Sequence, residues 1–263
     1  VYLVRALIPF RRPAPIRRSP DALHYAPALV RARTMTEPQR LSKRVTELFQ
    51  CSRREAELLI EGGWVLVDGE VQEAPQFKVL DQAVTLLPDA VAEPVPPATL
   101  LLHKPAGAAL DSAALLQLVR PDSRWAGDDS RMRMLKKHFS RLKPLLPLEP
   151  DACGLQVLTQ DYRVERKLSE DGARLEQEWI VEVAGTLADN GLEQLNQPGV
   201  KASWQSESRL RFALKNPAPG QIRQWCAGVG LQVVSMKRIR IGRIAMAGLP
   251  EGQWCYLAAY RRF

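Results

Sequence analysis

Residues 147–159 carry the sequence Pro147-Leu148-Glu149-Pro150-Asp151-Ala152-Cys153-Gly154-Leu155-Gln156-Val157-Leu158-Thr159. Because proline stands on both sides of Glu149, the backbone there is restricted before any ligand binds. The apolar residues that follow Gly154 predict a buried strand. The stretch therefore predicts a rigid turn that presents a carboxylate at the end of a strand. An ordinary acidic surface turn is the alternative that these residues alone leave open.

The composition limits the class of protein. A chain of 263 residues has room for one large domain or two. Its four cysteines are far apart and its three histidines are scattered, so we expect neither structural zinc nor a disulfide framework. No apolar run approaches the roughly 18 residues of a membrane span. We therefore expect a soluble cytoplasmic protein with no metal site and no membrane partner.

The leader, residues 1–39, differs from the rest of the chain. Residues 1–34 hold seven Arg and one Asp, a net charge of +6, so only +2 of the total +8 belongs to the other residues. Because the leader lacks apolar periodicity, it is predicted to be disordered. Met35 precedes the first patterned segment, and we expect the natural chain to start near it. An organelle-targeting peptide is the alternative that the Arg-rich composition leaves open.

Residues 40–91 predict a small module of two helices and a hairpin. Apolar residues recur at helical spacing over residues 41–49. The capping box Ser52-Arg53-Arg54-Glu55 begins a second helix, and Asp68-Gly69 predicts a hairpin turn. The arrangement resembles the S4 RNA-binding domain, which implies that exposed cations meet RNA phosphates; a solvated helix face is the alternative. The candidate cations are Arg40, Lys43, Arg44, Arg53 and Arg54.

A Pro-rich linker, residues 92–97, marks the domain boundary before a second domain of residues 98–263. Strand patterns are found at residues 99–107, 155–159, 177–183, 208–214 and 233–242. Helical patterns are found at residues 112–120, 132–139, 162–169, 187–195 and 221–229. Strands joined by hairpins and short helices predict an α+β domain on a mostly antiparallel sheet.

Short motifs in this domain follow a recognisable order. They are Lys104-Pro105-x-Gly107, Gly154-Leu155 with Leu158-Thr159, Trp179-x-Val181, Gln221-Ile222-Arg223, the basic run from Val234 to Gly242, and Leu249-Pro250-Glu251-Gly252. Together with the S4-like module, these motifs resemble the RNA pseudouridine synthases of the RsuA/RluF type over about residues 40–257. The basic run near the C-terminus is the most specific of them.

The resemblance implies a reaction that breaks the glycosidic bond of a uridine in RNA, turns the base and rejoins it through carbon. The family uses an Asp carboxylate for this, with no metal or cofactor. That Asp falls on Glu149, its base-packing Tyr falls on Trp179, and Arg223 is the candidate partner of the carboxylate. Asp151 lies two residues beyond the matching position, and we expect it to point elsewhere.

Other positions depart from the family pattern or extend it. Where the family has Arg, Lys and Arg, this chain has Pro147, Gln177 and Gly220. The resemblance also implies RNA contacts from four further cations, for which a structural role of the turn lysine and a solvated strand face are the alternatives. These cations are Lys104, Lys237, Arg238 and Arg240.

Two hypotheses of function follow. In the first, the chain is a pseudouridine synthase that isomerises a specific uridine in ribosomal RNA, with tRNA as a further substrate. In the second, it binds structured RNA through the S4-like module without isomerising uridine. We expect a monomer with RNA as its partner.

Overall fold

The computed structural model describes residues 37–108 and 112–263. The predicted start near Met35 and most of the predicted leader lie outside the described residues. The chain divides into two compact units, one that ends at Val95 and one that spans Pro96–Phe263. Within the described ranges, no helix is long and apolar enough to cross a membrane.

The first unit contains the predicted helix pair and hairpin. Its elements are β1 (Gln39–Arg40), α1 (Leu41–Phe49), α2 (Arg53–Glu61), β2 (Val65–Val67), β3 (Glu70–Val71), β4 (Lys78–Val79) and β5 (Val84–Leu86). Ser52 begins α2 because its side chain accepts a hydrogen bond from the Glu55 N–H, while the Glu55 carboxylate accepts one from the Ser52 N–H. Apolar residues of both helices, β2, β4 and β5 form one core.

The second unit is built on one large sheet. Its first half contains β6 (Thr99–Lys104), α3 (Ser112–Leu118), β7 (Lys143–Leu145), β8 (Cys153–Thr159), α4 (Tyr162–Glu170) and β9 (Glu176–Gly185). Its second half contains α5 (Gly191–Leu195), β10 (Val200–Ser206), β11 (Arg209–Lys215), α6 (Gln221–Gly228), β12 (Leu231–Ile241), β13 (Ile244–Ala245) and β14 (Trp254–Tyr256). Single 3-10 turns lie at Pro121–Ser123, Lys136–Phe139 and Gly172–Arg174.

The strand order in the large sheet is β10-β11-β9-β12-β8-β6-β14, with β13 paired to β12 and β7 paired to β8. Every pair is antiparallel except β12 with β8, which run parallel. The predicted α+β class with a mostly antiparallel sheet is therefore confirmed. The parallel pair sets strand β12 beside the start of β8, next to the turn that carries Glu149.

Several element predictions need correction. The helix predicted at residues 132–139 is only a 3-10 turn at Lys136–Phe139, and the helix predicted from residue 187 begins at Gly191. Strand β10 was not predicted, although Val200, Ala202 and Trp204 alternate with polar residues in it; most of its side chains are exposed. Strand β14 was not predicted either, and all three of its side chains are buried.

Candidate active site

Glu149 lies in the turn between β7 and β8, and the turn is fixed at both ends by buried apolar side chains. Leu148 is 1% exposed and Ala152 is fully buried in the same core cluster. The Ala152 N–H donates to the Glu149 carbonyl at 3.1 Å, and the Leu148 N–H donates to the buried Gln156 side chain at 3.3 Å. The Glu149 side chain itself stays 22% exposed. The turn thus holds a reachable carboxylate on a fixed backbone.

The ammonium group of Lys104 binds the backbone carbonyls of this turn. The residue is fully buried, and its Nζ donates to the carbonyls of Ala152 at 2.9 Å, Pro150 at 3.0 Å and Pro105 at 3.1 Å, with the Glu149 carbonyl at 3.4 Å. Burial lowers the pKa of the ammonium from its ordinary value. The expected RNA contact of Lys104 is therefore wrong, because its charge is turned inward onto backbone carbonyls. The structural alternative describes it correctly.

Gly154 lets β12 approach the turn closely. Its φ is +110°, and a Cβ atom at this position would lie 2.2 Å from the Arg238 carbonyl oxygen. Only glycine fits such a conformation and such a contact. The close approach allows Arg238 to pair with Gly154, and Lys237 with Cys153, in the parallel ladder.

The Glu149 carboxylate meets the beginning of α6. Its Oε1 accepts a hydrogen bond from the Gly220 N–H at 2.8 Å, and its Oε2 lies 3.7 Å from Nε of Arg223. Gly220 caps α6 with a φ of +76°, and N–H groups at a helix N-terminus favour an anion. The predicted pairing of Glu149 with Arg223 is therefore present in the structure. No local sequence signal pointed to the Gly220 N–H.

Asp151 shares the same guanidinium. Its Oδ2 forms an ion pair with Nη2 of Arg223, and its side chain is 62% exposed. The expectation that Asp151 points elsewhere is wrong: both carboxylates of the turn lie at Arg223, Glu149 near Nε and Asp151 at Nη2. Arg223 is thus held by two carboxylates.

Trp179 lies in the core beside the turn. The residue is 4% exposed and belongs to the apolar cluster that contains Leu148 and Ala152. Its indole N–H has no hydrogen-bond partner within the described part of the chain. Because the ring is closed to solvent, stacking of a base on it requires this part of the core to open.

Arg238 supports the turn and is not an RNA contact. It is 2% exposed, its guanidinium donates to the carbonyls of Leu155 and Leu146 and to the Gln177 side chain, and it lies 5.5 Å from the Trp179 ring. Burial lowers the pKa of this guanidinium to about 9. The expected RNA contact of Arg238 is wrong because the whole side chain is enclosed.

The remaining predicted cations differ in their availability. Arg240 pairs with the carboxylates of Glu176 and Glu178, so its charge is already balanced. Lys237 is half-buried, and its side chain makes no hydrogen bond or ion pair with any residue that the structure describes. In the first unit Arg44 is buried, whereas four cations are exposed. These four are Arg40, Lys43, Arg53 and Arg54.

The comparisons with known proteins agree with this architecture. The S4 domain family matches residues 39–84. An RNA pseudouridine synthase of Aquifex aeolicus is 25% identical over 82% of this chain and 91% of its own length. The dual-specificity RNA pseudouridine synthase RluF of Salmonella typhi is 27% identical over 82% of this chain and 74% of its own length. The resemblance recognised from the motifs is confirmed.

A solved structure supports the fold independently. A crystal structure described as a pseudouridylate synthase superposes with a TM-score of 0.50, covering 83% of this chain and 96% of its own. At 18% identity this match shows a shared fold. The chain therefore combines an S4 domain with a pseudouridine synthase fold.

Proposed function

We propose that the chain is an RNA pseudouridine synthase in which Glu149 is the catalytic carboxylate and Arg223 its partner. One observation carries the proposal. The residue at the family's Asp position is a carboxylate on a fixed turn, and it meets both a helix N-terminus and an arginine. Ribosomal RNA as the substrate, with tRNA as a further one, and a monomeric cytoplasmic protein are parts of the same proposal.

The reaction is an isomerisation in which atoms balance within the uridine. The bond between C1′ of the ribose and N1 of the base breaks, the base turns, and C1′ bonds to C5. The proton on C5 is lost, and N1 ends protonated. An ionised carboxylate serves either as a nucleophile at C1′ or as the base that takes the C5 proton.

The neighbours of Glu149 contribute orientation and charge. The Gly220 N–H and the Arg223 guanidinium hold the carboxylate in one direction, so the reacting oxygen does not have to reorganise during the reaction. Trp179 is the proposed base-packing residue, and its enclosed position implies that the target nucleotide enters with a local opening of the core.

The second candidate function is RNA binding without isomerisation. The observation that favours it is the enclosed Trp179 ring, which does not offer an open face to a base. Glutamate at the position of the family's Asp favours it as well.

Chemical mapping of pseudouridine separates the two candidates. Total RNA is taken from a strain that lacks the gene, and from the same strain carrying the wild-type gene or Glu149→Ala. We expect one site to vanish, to return with wild type, and to stay absent with the variant. An unchanged map in all strains, together with retained RNA binding of the purified protein, assigns the chain to the second candidate.

A further inference from the structure

Four neighbouring strands of the large sheet, β10, β11, β9 and β12, have one uncovered face, which we call the open face. Along β9 and β11 buried residues alternate with exposed or half-buried ones, so only one face of these strands is buried. The buried face includes Trp179 and Phe212, which share a core cluster with Ile222 and Cys226 of α6. On the open face even Ile180 belongs to no core cluster of the described residues. This face is therefore left to solvent.

The strand register shows which side chains share the open face. Lys237 is paired with Ile180, Ile180 with Arg211, and Arg211 with Ser203. These four side chains form one row from β12 to β10, and all of them are exposed or half-buried. Because β10 and β12 are three strand spacings apart, the row is about 14 Å wide. The open face is therefore a continuous surface of four strands.

The arginines of the open face are neutralised by its glutamates. The pairs are Arg240 with Glu176 and Glu178, Arg211 with Glu178, and Arg209 with Glu182. Three guanidinium groups thus face three carboxylates, and their charges cancel within the face. None of these arginines is counted below as a cation that is available to a ligand.

Three lysines of the open face have no such partner. Lys201 and Lys215 are exposed and Lys237 is half-buried, and none of them makes a hydrogen bond or ion pair with the residues that the structure describes. Lys201 is paired with Ala213, so Lys215 is its diagonal neighbour at about 7–8 Å. Since the arginines and glutamates cancel, the lysines make the open face positive.

Lys237 also lies next to the candidate active site. It is paired with Cys153 in the parallel ladder, and Cys153 stands four residues after Glu149, so the Cα atoms of these two residues are at most about 14 Å apart. Burial raises the pKa of the Cys153 thiol, Lys237 lowers it and the exposed Glu251 raises it further. Glu251 is thus an acidic neighbour outside the four strands, and for this reason Lys237 is tested separately from the two lysines near the sheet edge.

The open face has no aromatic side chain. Of the aromatic residues in the four strands, Trp179 and Phe212 are buried, and Trp204 is paired with Leu210 of the buried face. Unpaired bases are usually bound by stacking on aromatic side chains. In a double-stranded stem the bases already stack on one another, and the phosphates are what a basic surface contacts. A positive surface without aromatic residues therefore suits a stem better than an unpaired strand.

We propose that the open face binds the phosphate backbone of a double-stranded RNA stem next to the target uridine. The proposal rests on the proposed function, because RNA is the polyanion on which the site acts. The lysines position the RNA without reading its sequence, since contacts to phosphates carry no base information. An acidic protein is the competing occupant that the test has to separate.

The test compares variants of the full chain that have the same net charge. The open-face variant carries Lys201→Gln, Lys215→Gln and Lys237→Gln. The control variant removes three cations of α4, each of which is paired with an acid; it carries Arg163→Gln, Arg166→Gln and Lys167→Gln. A charge-keeping variant has Arg at the three lysine positions, and two partial variants carry Lys237→Gln alone or the other two changes together.

The assay measures binding of a fluorescein-labelled RNA hairpin with a long stem, and of an unpaired oligouridine of the same length, across a range of salt concentrations. For the hairpin we expect the slope of log K against log salt to become shallower by about 2–3 in the open-face variant, since each lost phosphate contact changes it by about 0.7–0.9. Lys237→Gln alone should account for about 0.7–0.9 of this change. The control and charge-keeping variants should stay within about 1 of wild type, as should the open-face variant on oligouridine.

Turnover assays add a second measurement. The open-face variant should show a raised KM at an unchanged kcat, because the lysines contact the stem and not the reacting atoms.

The outcomes separate this proposal from the proposed function. Equal hairpin slopes for the open-face and control variants, with both folded by circular dichroism, overturn the RNA surface. An equal loss of slope on the hairpin and on oligouridine overturns the assignment to a stem. An open-face variant that binds the hairpin like wild type but no longer binds immobilised polyglutamate assigns the face to an acidic protein. If pseudouridine never forms but the hairpin slopes differ as expected, the catalytic proposal fails and the surface stands.

Discussion

Lys104→Met tests whether the buried ammonium holds the turn that carries Glu149. The substitution keeps an unbranched apolar side chain, one heavy atom shorter, but removes every N–H donor. The fully buried carbonyl of Ala152, and those of Pro150 and Pro105 at 3.0 Å and 3.1 Å, then lose their charged partner. Outside the hydrogen bonds within helices and between strands, no other N–H group of the described residues donates to the Ala152 carbonyl.

The magnitude follows from opposing terms. Three N–H groups donate, and hydrogen bonds to a charged group contribute about 1.5–3 kcal/mol each. Removing the buried charge also removes a desolvation penalty of several kcal/mol. We therefore expect a net destabilisation of about 3–5 kcal/mol, the range found when one partner of a buried charged network is removed. For a unit of this size that lowers the melting temperature by about 6–20 °C.

Thermal and guanidinium unfolding of the purified variant measure this effect. The matched control is Lys215→Met, which removes an exposed ammonium from β11 and should change stability by less than about 0.5 kcal/mol. A loosened turn misplaces Glu149, and a displacement of about 1 Å lowers the rate on the order of 100-fold. Equal stabilities of the Lys104 and Lys215 variants would refute the clamping role.

Three further substitutions probe the same turn. In Glu149→Asp the shorter side chain should move the carboxylate about 1–1.5 Å farther from the Gly220 N–H and lower the rate of pseudouridine formation about 100-fold. A wild-type rate would contradict the role of this contact. Asp151→Asn removes an exposed pair with Arg223 that contributes at most about 1 kcal/mol, so it should lower the melting temperature by no more than about 4 °C and lower kcat up to about fivefold; an unchanged kcat argues against a role of Asp151 in orienting Arg223. Gly154→Ala should destabilise the protein by more than about 3 kcal/mol, because its Cβ would lie 2.2 Å from a backbone oxygen; a variant as stable as wild type contradicts that contact.

Local signals were enough to predict the elements whose ends depend on nearby residues. The capping box at Ser52 and the Asp68-Gly69 turn are hydrogen-bonding or backbone preferences that act within a few residues. Strand β9 was predictable because its side chains alternate between buried and half-exposed positions. Strand β10 alternates only over a short stretch and its Trp204 is 38% exposed, so its place at the sheet edge depends on pairing with β11.

The direction of a charged side chain was the least predictable property. Lys104 and Arg238 have the composition of RNA contacts, yet both are enclosed, because each satisfies carbonyls of the turn from a strand distant in sequence. Lys43 and Arg54 in the first unit have the same residue types, yet both are exposed. Whether a cation is enclosed or exposed depends on its tertiary position, because the cost of burying its charge is offset only where several hydrogen-bond acceptors surround it.

The departures that the resemblance implies at the site lie next to each other in space. Glu149 is one methylene longer than the Asp that the resemblance implies, and its carboxylate accepts a hydrogen bond from the N–H of Gly220, where the resemblance implies Arg. Gly220 holds a φ of +76°, a conformation that an L side chain adopts only with strain. In the proposed site the longer acid therefore reaches a helix cap that carries no side chain. For that reason Glu149→Asp, which shortens the acid and leaves Gly220 in place, is expected to lower activity.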